Sequence, residues 1–376
     1  MKILHVDTGK EWRGGQRQAL FLHDALRERG HDSRIVCNEK GVFKDRLTEN
    51  YYSVRYRNEL DFSFVRLILE IVDDFKPDII HSHDAHALTP SLFVRMLRSK
   101  VRHVHTRRVD FSVNKGWLSV RKYRNRWLDR LVAISGAVKN ILKNDGIPES
   151  KIDVIYDGVY FPNSVDQEAV RRIRAEFNGK TIVGNLGNFA DHKDHYTLIK
   201  AYDKICHKRN DTVLLLVGDG PLYQEIQGYV NSLSCKGSVI FTGFRTDVYE
   251  LISAMDIFVI TSKEEGLCTT IIDAMHLKKP IVATRAGGIP ELVKDGCNGY
   301  LSEVREFELI AQQIIELIDH QGKRFEFGKN GKNIALGFNV GRMTNAYVEL
   351  YHQLKNCDVS QMKENCLIQT EESDFC

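Results

Sequence analysis

One pattern limits the fold of this chain more than any other: short β-rich runs alternate with amphipathic helical stretches, lapse once, and then alternate again. In the first series KILHV (2–6), SRIVC (33–37), DIIHS (78–82), RHVHT (102–106), RLVAIS (130–135) and KIDVIY (151–156) read as strands. Helices are expected between them at about 16–29, 62–75, 87–98 and 117–127, and from 136 to about 143. Strand, crossover helix, strand is the pattern of a parallel sheet covered on both faces. Between about 157 and 179 the pattern gives way to turn residues and a charged helical segment, which places a domain boundary there. The second series runs through TIVGNL (181–186), TVLLLVG (212–218), SVIFTG (238–243), DIFVIT (256–261), PIVAT (280–284) and GYL (299–301), with a helix expected at 267–277. A chain of 376 residues is also too long for one ordinary core. The expected fold is α/β, with two doubly wound Rossmann-like domains, 1–165 and 166–338, and a cleft between them. An aromatic amphipathic helix follows at 339–356, then a polar, aperiodic tail at 357–376 that is expected to be disordered.

Composition narrows the function classes. Hydrophobic residues make up 43% and charged residues 27%, and no apolar run is long enough to cross a bilayer. The start MKILHVDTG lacks the features of a secretion signal, so a cytoplasmic location is expected, with the inner face of the cytoplasmic membrane as one option. The eight cysteines are scattered without a C-x-x-C pair, which favours free thiols over a zinc site or a disulfide framework. Net charge is only +3, but between Arg95 and Arg130 twelve basic residues face just Asp110 and Asp129, with Phe111, Trp117, Tyr123 and Trp127 interleaved. Docking on anionic lipid headgroups suits such a stretch, beside the plainer reading of a solvated face. A nucleic-acid role would need a motif that is missing.

Ligands of doubly wound sheets bind beyond the carboxyl ends of the strands. In the segment EEGLCTTIIDAM (264–275), Glu265 follows DIFVIT directly. A helix starting near Gly266 would point the free N–H groups of Gly266, Leu267, Cys268 and Thr269 at an anion. Asp273 would then lie about 12 Å further along the axis, at roughly 1.5 Å per residue. Polar groups at both ends and an anionic middle describe a nucleotide sugar. By itself the spacing is weak, because Glu265 could simply complement the helix dipole and Asp273 be solvated.

The longer segment SKEEGLCTTIIDAMHLKKPIVATRAGGIPELVKDGCNGYL resembles the signature of retaining glycosyltransferases of family 4, with Ser262, Glu265, Gly266, Asp273, Ala274, Met275, Pro280, Gly287, Gly288, Pro290, Glu291, Gly296 and Gly299 in the matching places. Asp273 stands where a glutamate is usual. The resemblance covers nearly the whole chain and implies the GT-B fold, with a final helix crossing back to the first domain. It implies transfer of a sugar from a nucleotide-sugar donor to a glycan or glycolipid hydroxyl with retention, as in bacterial lipopolysaccharide and capsule synthesis.

On that resemblance Glu265 holds sugar hydroxyls, Asp273 the ribose, and Lys193 the donor diphosphate, with Asn188 where an arginine is usual. Gly243, Phe244 and Arg245 face the base. The Gly14–Gly15 loop reaches toward the donor phosphate; it lacks the G-x-G-x-x-G of a dinucleotide site. HVHTRRVDF (103–111) supplies a residue near the reacting sugar, His105 or Arg108 depending on the register. HSHDAHA (81–87) tempts a metal assignment, but acceptor contacts and helix capping by Asp84 fit its place after a strand better. No metal or cofactor is expected, and D-x-D is absent. A sugar-nucleotide epimerase, a phosphorylase, or a silent glycan-binding subunit on the same fold are the competing readings.

Overall fold

The structure is a computed structural model that describes residues 1–59, 61–113 and 116–356. Lys115 and the tail 357–376 lie outside the described residues. Strands β1 (Lys2–Asp7), β2 (Asp32–Asn38), β3 (Tyr51–Val54), β4 (Ile79–Ser82), β5 (Arg102–Arg107), β6 (Arg130–Ala133) and β7 (Ile152–Val154) form one sheet, ordered β3-β2-β1-β4-β5-β6-β7. Strands β8 (Thr181–Leu186), β9 (Thr212–Val217), β10 (Val239–Phe241), β11 (Ile257–Ile260), β12 (Ile281–Thr284) and β13 (Gly299–Ser302) form the second, ordered β10-β9-β8-β11-β12-β13. Every pairing within them is parallel, for example Ile3 with both Ser33 and Ile79. Central strands such as TVLLLV and IFVI are buried along their whole length, which helices on both faces require. The architecture is GT-B: two doubly wound units whose strand order reverses beside β1 and β8, where a crevice opens at the carboxyl ends.

Local signals explain most elements. The helix Phe62–Phe75 buries Phe64, Val65, Ile68, Ile71, Val72 and Phe75 at helical spacing, starts where Asp61 accepts hydrogen bonds from Ser63 and Phe64 N–H, and stops at left-handed Lys76. Strand β3 was not expected. It is an edge strand with only Val54 buried, so its sequence carries almost no apolar pattern.

Two crossings tie the units together. The chain leaves the first lobe near Val159 and returns beside it at Asn339, where Val159 and Val340 exchange backbone hydrogen bonds with Phe338 and Val159. A side chain at Gly158 would come within 2.6 Å of the Asn339 carbonyl oxygen, so the crossing needs glycine. The last helix, Val340–Asn356, then packs Met343, Tyr347, Leu350 and Tyr351 against Ile3, Leu22, Ile79 and Val104 of the first lobe.

Candidate active site in the interlobe cleft

Glu265 lies just beyond β11, in the loop that turns back toward the next helix. That helix runs from Thr269 to His276, not from Gly266 as expected, and Cys268 precedes it in the left-handed region at φ 69°. The amides of Gly266, Leu267 and Cys268 therefore belong to the loop. Asp273 sits one turn into the helix, about 6 Å from its start at roughly 1.5 Å per residue, and the stretch from Gly266 to Cys268 before it is not helical. Both carboxylates are enclosed, Glu265 being 8% and Asp273 3% exposed. Lys193, in the turn after β8, places its ammonium against Glu265, which also accepts the Ser262 hydroxyl at 2.8 Å. Burial pulls the Lys193 pKa down, but the charge and hydrogen bond of Glu265 outweigh it and leave it raised.

The loop is fixed by close backbone contacts with its neighbours. A Cβ at Gly266 would lie 2.2 Å from the Arg108 carbonyl oxygen in the opposite lobe, and one at Gly287 1.7 Å from the Glu265 carbonyl oxygen. Gly287 also has φ +48°, so both conformation and space require glycine there. Asp110 accepts the Glu265 N–H across the cleft, and burial raises its carboxyl pKa against that hydrogen bond. Glu291 reaches the other way, accepting Gly136 and Ala137 N–H at 2.9 Å each and capping the helix Gly136–Asn144 of the first lobe.

The facing wall comes from the first lobe. Gly14 and Gly15 open the helix Gly14–Glu28; nothing lies within 4 Å of a Cβ built on Gly14, and the Arg108 side chain lies 3.7 Å from one on Gly15. Arg108 follows β5 and pairs with buried Asp157 at 3.3 Å, with a second contact to His83 at 3.2 Å. His105, the alternative in that register, is inside β5, 1% exposed, with Nδ1 on the Ser82 hydroxyl at 2.9 Å. Of the two, Arg108 is the residue brought to the cleft, because the odd step out of the strand turns its backbone against Gly266.

Asp273 has partners on both sides. Tyr249 donates its hydroxyl to Oδ1 at 3.3 Å, and Arg17 of the opposite lobe stands 3.7 Å from Oδ2, an ion pair rather than a hydrogen bond. Burial raises the Asp273 pKa to about 6, with Arg17 opposing it. Asn188 is exposed and its side chain lies over Gly220. Gly243 (φ +68°) lies two residues past the end of β10, Phe244 is 70% exposed, and Arg245 is paired with Asp247 at 2.8 Å. Arg17, Tyr249, Asp110 and Asp157 are contributions that sequence reasoning missed. Only Arg17 carried a signal, as a cation in the first turn after the Gly-Gly loop.

Two other sequence features resolve differently. His81 and His83 join His5 of β1, with ligand atoms within 4.8 Å of one another. Five of their six ring nitrogens are engaged, His81 with Tyr351 (2.6 Å) and Thr106 (2.7 Å), His83 with His5 Nδ1 (2.9 Å) and Arg108, while His5 Nε2 is buried without a hydrogen-bond partner among the described residues. This is a hydrogen-bonded core beneath the cleft, while Asp84 caps the helix Ala85–Leu97. The basic stretch 95–130 is balanced by carboxylates from elsewhere: Arg98 by Asp73, Lys122 by Glu59, Arg108 by Asp157 and Arg130 by Asp153. Asp129 holds both Arg95 (2.9 Å) and Arg102 (3.5 Å), so the field of the stretch is weaker than its composition implies. The five described cysteines are unbridged, and no helix among the described residues is long and apolar enough to cross a membrane.

Known proteins agree with this architecture. The description "Glycosyltransferase Family 4" matches residues 12–160, and "Glycosyl transferases group 1" matches residues 166–334. N-acetyl-alpha-D-glucosaminyl L-malate synthase of Bacillus anthracis is 25% identical over 90% of this chain and 93% of its own. UDP-Gal:alpha-D-GlcNAc-diphosphoundecaprenol alpha-1,3-galactosyltransferase of Escherichia coli is 23% identical over 93% and 96%. Among solved structures, Anabaena Alr3699/HepE in complex with UDP superposes with a TM-score of 0.84 at 23% identity, over 94% of this chain and all of that one. A family 4 domain followed by a group 1 domain, together spanning both lobes of the cleft just described, make this chain a member of the glycosyltransferases.

Proposed function

We propose that this chain moves a sugar from a nucleotide-sugar donor to a hydroxyl of a glycan or glycolipid acceptor, with retention of configuration, in the synthesis of a cell-surface polysaccharide. The observation that carries the reading is the enclosed Lys193–Glu265 pair beyond the carboxyl ends of the second sheet's strands. Relatives named for a UDP-sugar donor and a lipid diphosphate acceptor, and a neighbour solved with UDP, support a UDP-sugar as the first donor to try.

In this reading the diphosphate lies between Lys193, the start of the helix Thr269–His276, and the Gly14–Gly15 amides. The bond from the anomeric carbon to the phosphate oxygen breaks, and its electron pair stays on the diphosphate. These donors stabilise the charge that develops there. The acceptor oxygen bonds to the carbon on the face the diphosphate leaves, which puts the acceptor proton within reach of the departing phosphate oxygen. Glu265, held by Lys193 and Ser262, orients sugar hydroxyls. Asp273 takes the ribose, and the Gly243–Arg245 turn lies along the base. The nucleotide sugar is a substrate, and no resident metal or cofactor is assigned a role.

The acceptor side rests on the first lobe. Met96, Leu97 and Phe62 are exposed, and a cavity of about 260 Å³ is lined by Leu92, Phe93, Met96, Arg121, Lys122 and Trp127. With Arg124 and Arg126 nearby in sequence, this face suits peripheral contact with an anionic membrane that presents a lipid-linked acceptor. Release of nucleoside diphosphate from UDP-, GDP- and ADP-sugars, with and without glycolipid acceptors, tests the proposal. A chain that turns over none of them contradicts it.

A further inference from the structure

The diphosphate of a nucleotide sugar brings negative charge into this cleft, and the cations around it are largely spent. Lys193 is matched by Glu265, Arg108 by Asp157, and Asn188 is neutral. Arg17 is different. It rises from the first turns of the helix Gly14–Glu28, whose first turn holds no acidic residue of its own. Its guanidinium leans on the Phe21 ring, 5.1 Å from the centroid, and its side chain is 27% exposed. Among the described residues its one ion pair is the loose contact across the cleft to Asp273, at 3.7 Å. Asp273 is the carboxylate assigned to the ribose, and its other oxygen is already held by Tyr249. A ribose whose hydroxyls donate to Asp273 takes the place that Arg17 occupies.

Resting on the donor-site reading above, we infer that Arg17 is a donor-binding residue: ribose displaces it from Asp273, and it moves onto the diphosphate, supplying from the first lobe the positive charge that Asn188 does not supply from the second. The exchange keeps both groups partnered. Asp273 trades an ion pair for hydroxyl hydrogen bonds, and Arg17 trades a carboxylate for phosphate oxygens, to which its planar fork is well matched. It also makes nucleotide binding depend on both lobes, since the sequence on the far wall now reads the phosphate.

The test compares a nucleoside diphosphate with its parent nucleoside, by calorimetry on the full chain. UDP, GDP and ADP are tried, and the one bound by the wild type is used with uridine, guanosine or adenosine. Arg17→Gln keeps the side chain over Phe21 and removes the charge. The expected result is a loss of diphosphate affinity of about tenfold or more, with nucleoside affinity unchanged or tighter because Asp273 is released. Arg17→Lys should fall between, and Asn188→Arg added to Arg17→Gln should restore at least part of the diphosphate affinity. Unchanged or tighter diphosphate binding in Arg17→Gln would show that Arg17 only latches the two lobes together. An equal loss for diphosphate and nucleoside would show that it only shapes the lobe. Either result overturns the inference while leaving the donor site standing; a wild type that binds no nucleoside diphosphate overturns the donor-site reading itself.

Discussion

Glu265 and Lys193 cancel each other's charge, and that constrains what removal of either does. Taking away one partner of an enclosed pair leaves the other charge without compensation, whereas taking away both leaves none. Because Lys193 is partly open to water, the full cost of a deeply buried pair does not apply. We therefore expect Lys193→Ala and Glu265→Ala each to lower stability, and the double variant to lose less than their sum, with a coupling of about 1–3 kcal/mol in urea melts. Strict additivity would show that the pair carries no mutual stabilisation. Both residues were legible in the sequence because each follows a strand of a doubly wound sheet and stands in a recognisable segment. Arg17, Tyr249 and Asp110 were not, since each reaches the site only when the lobes meet. The choice between His105 and Arg108 could not be made by counting either; it needed the burial of the whole of β5.

At the level of elements, the helix after β11 is the instructive case. EGLCTT reads as helix, but the structure spends Gly266 on an approach to the Arg108 backbone and turns the chain through left-handed Cys268 before the helix can start. Long-range contact, not local propensity, sets that boundary. Glycines along the cleft consequently divide into two kinds. Gly287→Ala would combine a strained φ of +48° with a clash against the Glu265 carbonyl, and should cost more than about 2 kcal/mol or prevent folding. Gly14→Ala meets nothing, so the melting temperature should hold or rise slightly, while nucleotide affinity falls as the methyl group enters the space assigned to the phosphate. Equal destabilisation in the two variants would contradict this division. Most other elements were legible within a residue or two because periodicity and capping agree, as in Phe62–Phe75; β3 was lost for want of buried residues.

On the scale of the molecule, the first lobe is built over neutral histidines. Burial holds His5, His81, His83 and His105 well below the usual imidazole value, and lowers His23 and His103 to about 4; His195 in the second lobe is likewise held at about 4. An imidazole with a lowered folded pKa contributes stability above about pH 6.5, its unfolded value, and loses it as pH falls toward 4, because the unfolded chain binds the protons. Six carboxylates act in the opposite sense, Asp24, Asp110, Asp153 and Asp157 among them, each raised by burial. Burial and Asp84 raise Asp7 to about 7, and burial raises Asp273 to about 6, so each favours the folded state as pH falls. The seven histidines outnumber the six carboxylates, and four of the rings are held well below the usual value, so melting temperature should drop from pH 7 to pH 4.5. A flat profile would mean that these rings are hydrated in solution. The broad plan, two parallel sheets with a cleft, was legible because alternation repeated on both sides of one lapse. How the lobes touch was not, since the contacts join residues far apart in the chain, such as Asp110 with Glu265 and Glu291 with Gly136. The reading of that cleft as a glycosyl-transfer site meets its most direct test in nucleoside diphosphate release from sugar nucleotides by the wild type, Lys193→Ala and Glu265→Ala. The account predicts turnover of at least one donor by the wild type and a loss of about a hundredfold or more in each folded variant; no turnover by the wild type, or undiminished turnover by both variants, would contradict it.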